Sequence, residues 1–485
     1  MTEKRTRRDF LKESAAGMVG LTVVPSAVLG STVGKKAPSD KLNIAGIGIG
    51  GKGAVNIRNM SGENIVALCD IDWDYAKKVF AEYPNAKKFW DYREMFDKIG
   101  KEIDAVCIVT PDHTHAMIAA DAMTMGKHVY LQKPLTHTVY ESRLMAKLAA
   151  KYKIATQMGN EGASGESFRL VADVVWNGDL GEVYKVHAWT DRPIWPQGMN
   201  VPEPMKVPDT LRWDLFLGPA KTRPYNGIYQ PWNWRGWWDF GTGALGDMAC
   251  HILHPVYHAL QLCAPTSIQA SSTTLLSDSA PLSQRVKFKF PARGTKFNAT
   301  LAPIELEWFD GGLRGDIPPG MADDKRIGIG GTIYYGTKDT LILSSGRPFL
   351  LSGKEIKVPS RQREISVIHE LDWIRACKES PENRIPCVSE FKEAGPVNEM
   401  VVAGVLAVRL QQLGKELLWD GPNMKFTNLT SSDTIKMLIK GGYTVKEGHP
   451  TYSNVTSDPI NAQEFAQEMI KHTYHNGFKL VDMPA

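Results

Sequence analysis

The stretch LNIAGIGIGGKGAVNIRNMSGENIVALCD, residues 42–70, decides the fold. A short apolar run over 42–47 leads into glycines at 46, 48, 50 and 51, and a helix-compatible segment follows. A second apolar run, 65–69, ends on Asp70. The order is strand, glycine turn, helix, strand, acid. Gly46, Gly48 and Gly51 fill a G-x-G-x-x-G spacing, and Asp70 lies 19 residues beyond Gly51. In a dinucleotide site each part has a task. The first glycine permits a tight turn, the second lets a pyrophosphate approach the backbone, and the third lets the helix lie close to the strand. Unpaired N–H groups at the helix start face the phosphates. Asp70 would accept bonds from ribose hydroxyls and repel a 2′-phosphate, which favours NAD over NADP.

The alternation continues outward. Apolar runs at 105–109, 128–131 and 154–158 read as buried strands, and 72–83, 92–99, 114–125 and 138–151 read as helices. This predicts a Rossmann-type doubly wound parallel sheet. From about residue 160 the pattern changes. Residues 285–290 alternate, with Val286, Phe288 and Phe290 on one face and Arg285, Lys287 and Lys289 on the other, as in a half-solvated antiparallel strand. Residues 183–190, 297–308 and 333–343 also read as strands, and 164–177, 247–260, 364–379 and 395–413 as helices, with Pro255 a kink in the second of these. The expectation is an α/β chain: a nucleotide domain over 37–159, an α+β domain with a large, open, mainly antiparallel sheet over 160–430, and an extension over 431–485 packing on that second domain.

The 485 residues suffice for two or three domains, and 43% hydrophobic content suits full cores. The formal charge of +4 is small, with no basic cluster beyond the N-terminus, which argues against nucleic acid. None of the six cysteines has a metal-ligand spacing, and no metal is expected. Arg7-Arg8 followed by an apolar segment over 15–30, too short and broken for a membrane span, reads as a twin-arginine export signal within 1–36. That implies a periplasmic or secreted protein, exported folded and without a stable membrane anchor. It also poses a problem of cofactor supply outside the cytoplasm.

Thr110-Pro111-Asp112-His113-Thr114-His115 after one strand, and Gln132-Lys133-Pro134 after the next, make the chain resemble the glucose–fructose oxidoreductase/inositol dehydrogenase (Gfo/Idh/MocA) family. By that resemblance Lys133 matches the lysine of an E-K-P motif, which touches both the nicotinamide ribose and the substrate. Gln132 stands where the family usually has Glu. Thr110, Pro111 and His115 match positions that shape the cofactor pocket. The expected cofactor set is Gly46, Gly48, Gly50, Gly51, Asp70, Thr110, Pro111, His115, Gln132, Lys133 and Asn160. In WNWRGWWDFGTGALGDMACHILHPVYH, 232–258, Asp247 and His251 sit four apart on one helix face and match the family's D-x-x-x-H. The expected catalytic set is therefore Lys133, Asp247 and His251, with Asp247 orienting the ring or sharing a substrate hydroxyl. Trp195, Trp232, Trp234, Trp237 and Trp238 concentrate nearby with Arg192 and Arg235. Ring faces and guanidinium donors suit a sugar, and Arg192, Trp195, Arg235, Trp237 and Trp238 are the expected substrate set.

The resemblance implies hydride transfer between a sugar or glycoside carbon, with carbon 3 favoured, and a tightly bound NAD, in a homodimer or homotetramer. Related family members act instead as redox-neutral NAD-dependent glycosidases, by oxidation, elimination, hydration and reduction. A non-catalytic sugar-binding protein is the third reading, opposed by the intact Lys133, Asp247 and His251.

Overall fold

A computed structural model describes residues 40–321, 327–344 and 346–484. The segment within 1–36 read as a twin-arginine signal lies outside the described residues. The first sheet has six strands, all parallel: β1 (Asn43–Ile47), β2 (Asn64–Cys69), β3 (Lys87–Phe89), β4 (Ala105–Ile108), β5 (His128–Leu131) and β6 (Thr156–Met158), in spatial order β3-β2-β1-β4-β5-β6. Of the central strands, β4 is buried throughout and β1 at all but its first residue, because helices cover both faces. Two of those helices are α1 (Lys52–Asn59) and α2 (Asp112–Thr124).

The glycine turn is real but shifted by two residues. Gly46 lies inside β1, where a Cβ would strike Ile57 of α1 at 2.7 Å. The tight turn is at Gly48, with φ +76°. The close approach of helix to loop is at Gly53, where a Cβ would stand 2.0 Å from the Gly48 carbonyl oxygen. Gly48 and Gly53 therefore carry the turn and the helix approach, as the first and third glycines of a second G-x-G-x-x-G that overlaps the first, with Gly50 between them beneath the Tyr75 ring. Gly51 opens α1 with φ +49° and supports no helix–strand contact.

The second sheet has nine strands and begins with β7 (Val183–Thr190), whose partners are Ile304–Phe309 on one side and Gly330–Gly336 on the other. All pairs are antiparallel except Val183–Thr190 with Ile304–Phe309. Strand Gln284–Phe290 alternates as expected: Val286, Phe288 and Phe290 are buried. The apolar face is covered by α3 (Glu166–Asn177), α4 (Gly243–Ile252), α5 (His254–Leu260) and α6 (Phe391–Arg409). Two expectations change here. Residues 333–343 form a hairpin, Gly330–Gly336 and Thr340–Leu343, not one strand. Residues 297–308 are not one strand either: Ala299–Thr300 pairs with Thr295–Lys296, and Ile304–Phe309 alone joins the large sheet. The helix over 247–260 breaks at Leu253, the interruption that Pro255 predicts, because a proline near the start of α5 cannot donate to the turn before it.

The C-terminal extension divides between the domains. Helix Ala462–Ile470 buries Ala462, Ala466 and Ile470 in the second core. The last segment instead crosses to the nucleotide domain. The Tyr474 hydroxyl donates to Glu141 at 2.7 Å, the Arg93 guanidinium lies 4.4 Å from the Phe478 ring, and the Met483 N–H donates to the Tyr140 hydroxyl at 3.1 Å. Tyr474, Phe478, Leu480, Val481 and Met483 pack there against the nucleotide-domain core.

Candidate active site

A cavity of about 600 Å³ opens at the C-terminal edge of the parallel sheet and is closed on its far side by the second domain. In an open α/β sheet this edge, where the strand order reverses, is where ligands collect. Here the reversal falls between β1 and β4.

One end of the cavity is lined by Asp70, Tyr75, Trp90 and Phe478, so the tail contributes a wall. Asp70 sits at the tip of β2 and accepts from Gly50 N–H at 3.0 Å and Asp72 N–H at 2.9 Å. Burial nevertheless raises its carboxyl to about 6. Gly48, Gly50, Gly51, Thr110 and Pro111 line the middle. A Cβ on Gly48 would meet the Val109 carbonyl at 2.7 Å, and α1 starts with no side chain capping its N–H groups. A glycine turn, an uncapped helix start and an acid at the end of β2 fit the pyrophosphate and ribose of a dinucleotide. The Tyr75 side chain, however, lies across the turn, where a Cβ on Gly50 would meet its ring at 2.2 Å and one on Gly51 its hydroxyl at 2.3 Å, and it has to swing aside for the phosphates.

The other end brings together Gln132, Lys133, Arg235, His251, Trp232 and Trp234. Lys133 comes from the loop after β5 and His251 from α4, so the two domains each supply one face. Lys133 Nζ donates to Asp247 Oδ1 at 2.7 Å, and Arg235 Nε donates to the same oxygen at 2.8 Å. Burial alone would raise the Asp247 carboxyl. Lys133, and then Arg235, instead hold it well below the usual carboxylate range. Asp247 is thus the shared counter-ion of two cations and does not line the cavity. The expectation that it orients His251 is corrected: His251 Nδ1 lies 2.8 Å from Asn160 Oδ1. Burial, followed by the Lys133 charge, depresses His251 to about 3, so its ring is neutral at physiological pH.

Other expected residues lie elsewhere. His115 is fully buried, its ring nitrogens at 2.9 and 2.7 Å from the Pro134 and Thr110 carbonyls, where it ties the two motif loops together behind the cavity. Asn160 is 1% exposed and faces His251 and His254, not the cofactor end. Gly46 is in β1. In the substrate set only Arg235 reaches the cavity. Trp237 is a core residue, Trp195 bonds Gln197, and Trp238 bonds the Leu276 carbonyl. Arg192 is held on the Gly311 side of the second sheet, where its carbonyl accepts from that residue's N–H. Their places are taken by Trp232 and Trp234, with the Arg235 guanidinium 5.1 and 4.2 Å from the two rings. These two belonged to the same aromatic cluster, but only the folded path of 230–241 shows which rings turn inward.

Residues 41–160 match a family model described as an oxidoreductase family, NAD-binding Rossmann fold, and residues 170–297 match the model for that family's C-terminal alpha/beta domain. Inositol 2-dehydrogenase of Gluconacetobacter diazotrophicus is 30% identical over 180 residues, covering 35% of this chain and 52% of the relative. A glycosyl hydrolase family 109 protein of Shewanella sp. (strain ANA-3) is 29% identical over 203 residues, covering 36% of this chain and 44% of the relative. The chain thus spans about half the length of the curated relatives it matches. Among solved structures, the WlbA dehydrogenase from Bordetella pertussis, in complex with NADH and UDP-GlcNAcA, superimposes with TM-score 0.53 at 15% identity, over 78% of this chain and 99% of that one. An oxidoreductase from Thermotoga maritima gives TM-score 0.54 at 17% identity, over 78% and 98%. At these identities the structures speak for the fold alone.

Proposed function

The chain belongs to the Gfo/Idh/MocA oxidoreductase family and carries its NAD-binding domain, and from that premise we propose that it oxidises a secondary hydroxyl of a sugar or glycoside, carbon 3 being the favoured position. The observation that carries this reading is the meeting of Lys133 and His251, from different domains, in one cavity with the glycine ridge. Bound NAD would supply the hydride acceptor. Every other task falls to the chain. His251, neutral and held through Nδ1, presents Nε2 to the substrate hydroxyl and takes its proton. A weak base suffices, because the O–H becomes strongly acidic as the carbon beneath it turns to carbonyl. Lys133 Nζ donates to the same oxygen and stabilises its developing charge. Asp247 keeps Lys133 and Arg235 fixed. Trp232 and Trp234 offer apolar faces to the ring.

The family 109 relatives support a second reading. They match at 27 to 29% identity, the range of the inositol dehydrogenases. If the ketone at carbon 3 acidifies the neighbouring C–H, an aglycone can leave, water can add, and the carbonyl can be reduced again without net consumption of NAD. That route suits a protein exported to the periplasm, where NAD is not replenished. We place the chain there on the strength of Arg7-Arg8, and take the outer sheet face as its contact in a homodimer or homotetramer. Incubating the protein with aryl glucosides, with and without added NAD, separates the readings. A keto-sugar formed with equivalent NADH marks the dehydrogenase. Catalytic aglycone and free hexose without NADH mark the glycosidase. No product and no bound nicotinamide would end both.

NAD preference is assigned to Asp70. Asp70→Ala is expected to weaken NAD about tenfold or more, the loss of a charged acceptor for hydroxyls being worth about 1.5–3 kcal/mol, and to narrow the NAD/NADP ratio. Titrating each cofactor by fluorescence checks this; an unchanged ratio would mean another group reads the ribose.

A further inference from the structure

The polar chain behind His251 has a direction that its chemistry dictates. Asn160 Nδ2 lies 2.8 Å from the Cys250 carbonyl oxygen and 2.8 Å from His254 Nδ1, while its Oδ1 lies 2.8 Å from His251 Nδ1. A carbonyl oxygen only accepts, so the amide nitrogen must face Cys250 and the amide oxygen must face His251. An amide oxygen in turn only accepts, so His251 Nδ1 must carry the hydrogen. The same answer comes from the far end. Glu393 Oε1 receives His254 Nε2 at 3.2 Å and His258 Nδ1 at 2.8 Å. A carboxylate accepts, so His254 carries its hydrogen on Nε2 and offers a lone pair at Nδ1, which needs the Asn160 amide donor. Asn160 and His254 are 1% and 0% exposed, so water does not compete for these bonds.

We propose that Asn160 is a positioning residue of this site: gripped by the Cys250 carbonyl and, through His254, by Glu393, it holds His251 as the Nδ1–H tautomer with the Nε2 lone pair turned to the cavity. Its part in turnover rests on the dehydrogenase reading above. The tautomer itself does not. A neutral imidazole can take a substrate proton only on an unprotonated nitrogen, and Nδ1 is out of the cavity's reach. Without the amide, Nε2–H is the form a free histidine side chain favours, and that form is unable to act as the base.

The test uses full-length protein labelled with 15N-histidine, with the His251 ring signals identified by their loss in His251→Gln. The expected pattern is protonated Nδ1 and unprotonated Nε2 for His251, and the reverse for His254. In Asn160→Leu, His251 should populate the Nε2–H form, and kcat should fall tenfold or more with KM changed less than threefold. Asn160→Asp keeps the acceptor, so the His251 tautomer should persist while the added negative charge moves its titration to higher pH. If Asn160→Leu does not fold, the Asp variant decides alone, and an unmoved titration overturns the proposal. An Nε2–H His251 in the unsubstituted protein overturns it at once, as does an unchanged tautomer in Asn160→Leu. If the shifts follow expectation but no sugar is oxidised, the functional reading fails and the tautomer lock stands.

Discussion

Lys133→Met is expected to lower kcat by about a hundred- to a thousandfold, the range found when a donor to a developing oxyanion is removed from a closed site. Three consequences of one missing ammonium act together. The substrate oxygen loses its charged donor at the moment negative charge grows on it. Asp247 loses the partner at 2.7 Å and keeps only Arg235, at 2.8 Å. His251 loses the cation that, after burial, does most to depress it, so its titration should move up from about 3. The first effect is confined to the transition state, so kcat and kcat/KM should fall by similar factors while NAD binding at the glycine ridge changes little. Steady-state kinetics on the aryl glucosides and a cofactor titration of the same variant check both statements. Turnover within tenfold of the unsubstituted protein would remove Lys133 from the mechanism.

How much of this was legible in the chain depends on whether a period carried the signal. The parallel sheet was readable because its strands are continuous apolar runs separated by helices of regular length. The alternation over 284–290 likewise declared which face of the second sheet is covered. The glycine motif was found but misplaced. GIGIGGKG contains two overlapping G-x-G-x-x-G matches, and only the end of β1 at Ile47 selects the later one. The short motifs did point to Lys133 and His251, which line one cavity, the first in the loop directly after β5 and the second on α4. The aromatic set was not. Residues 190–241 follow an irregular path with no period to say which rings face inward, so Trp195, Trp237 and Trp238 proved structural while Trp232 and Trp234 reach the cavity. Phe478 lies more than two hundred residues from its neighbours in the wall, and no local pattern announces such a contact. The partner of Asp247 was misjudged for a related reason. Spacing of i and i+4 shows a shared face, not which residues from another domain arrive to compete for the carboxylate.

Asp247→Ala is expected to destabilise the folded protein by about 3–5 kcal/mol, the cost of breaking a buried ion pair by removing one partner. The loss is large because Asp247 answers two cations, Lys133 and Arg235, whose side chains are only 15% and 18% exposed. It also bridges the domains, Lys133 belonging to the first and Asp247 to the second, so the variant should loosen the cavity wall as well as lower the melting temperature. The pH dependence has a definite sign. A carboxyl held below its unfolded value contributes stability at every pH above about 4 and loses it as the medium is acidified toward the folded pKa. The acid limb of the stability curve should therefore be shallower in Asp247→Ala than in the unsubstituted protein. Asp112 behaves oppositely. Burial, only partly offset by Arg235 and the Thr242 hydroxyl, raises it to about 7. Its contribution is present below about 4 and is lost between there and 7, so Asp112→Asn should gain stability relative to the unsubstituted protein at pH 8 and not at pH 4. Denaturant titrations across pH 3–8 separate the two, since a general packing defect would shift both curves by a constant. The double variant Lys133→Met/Asp247→Ala should recover part of the loss, because it leaves one stranded cation in place of two. A double variant as unstable as the sum of its parts would show that Lys133 and Asp247 do not interact in solution, and the geometry on which the site rests would fall with it.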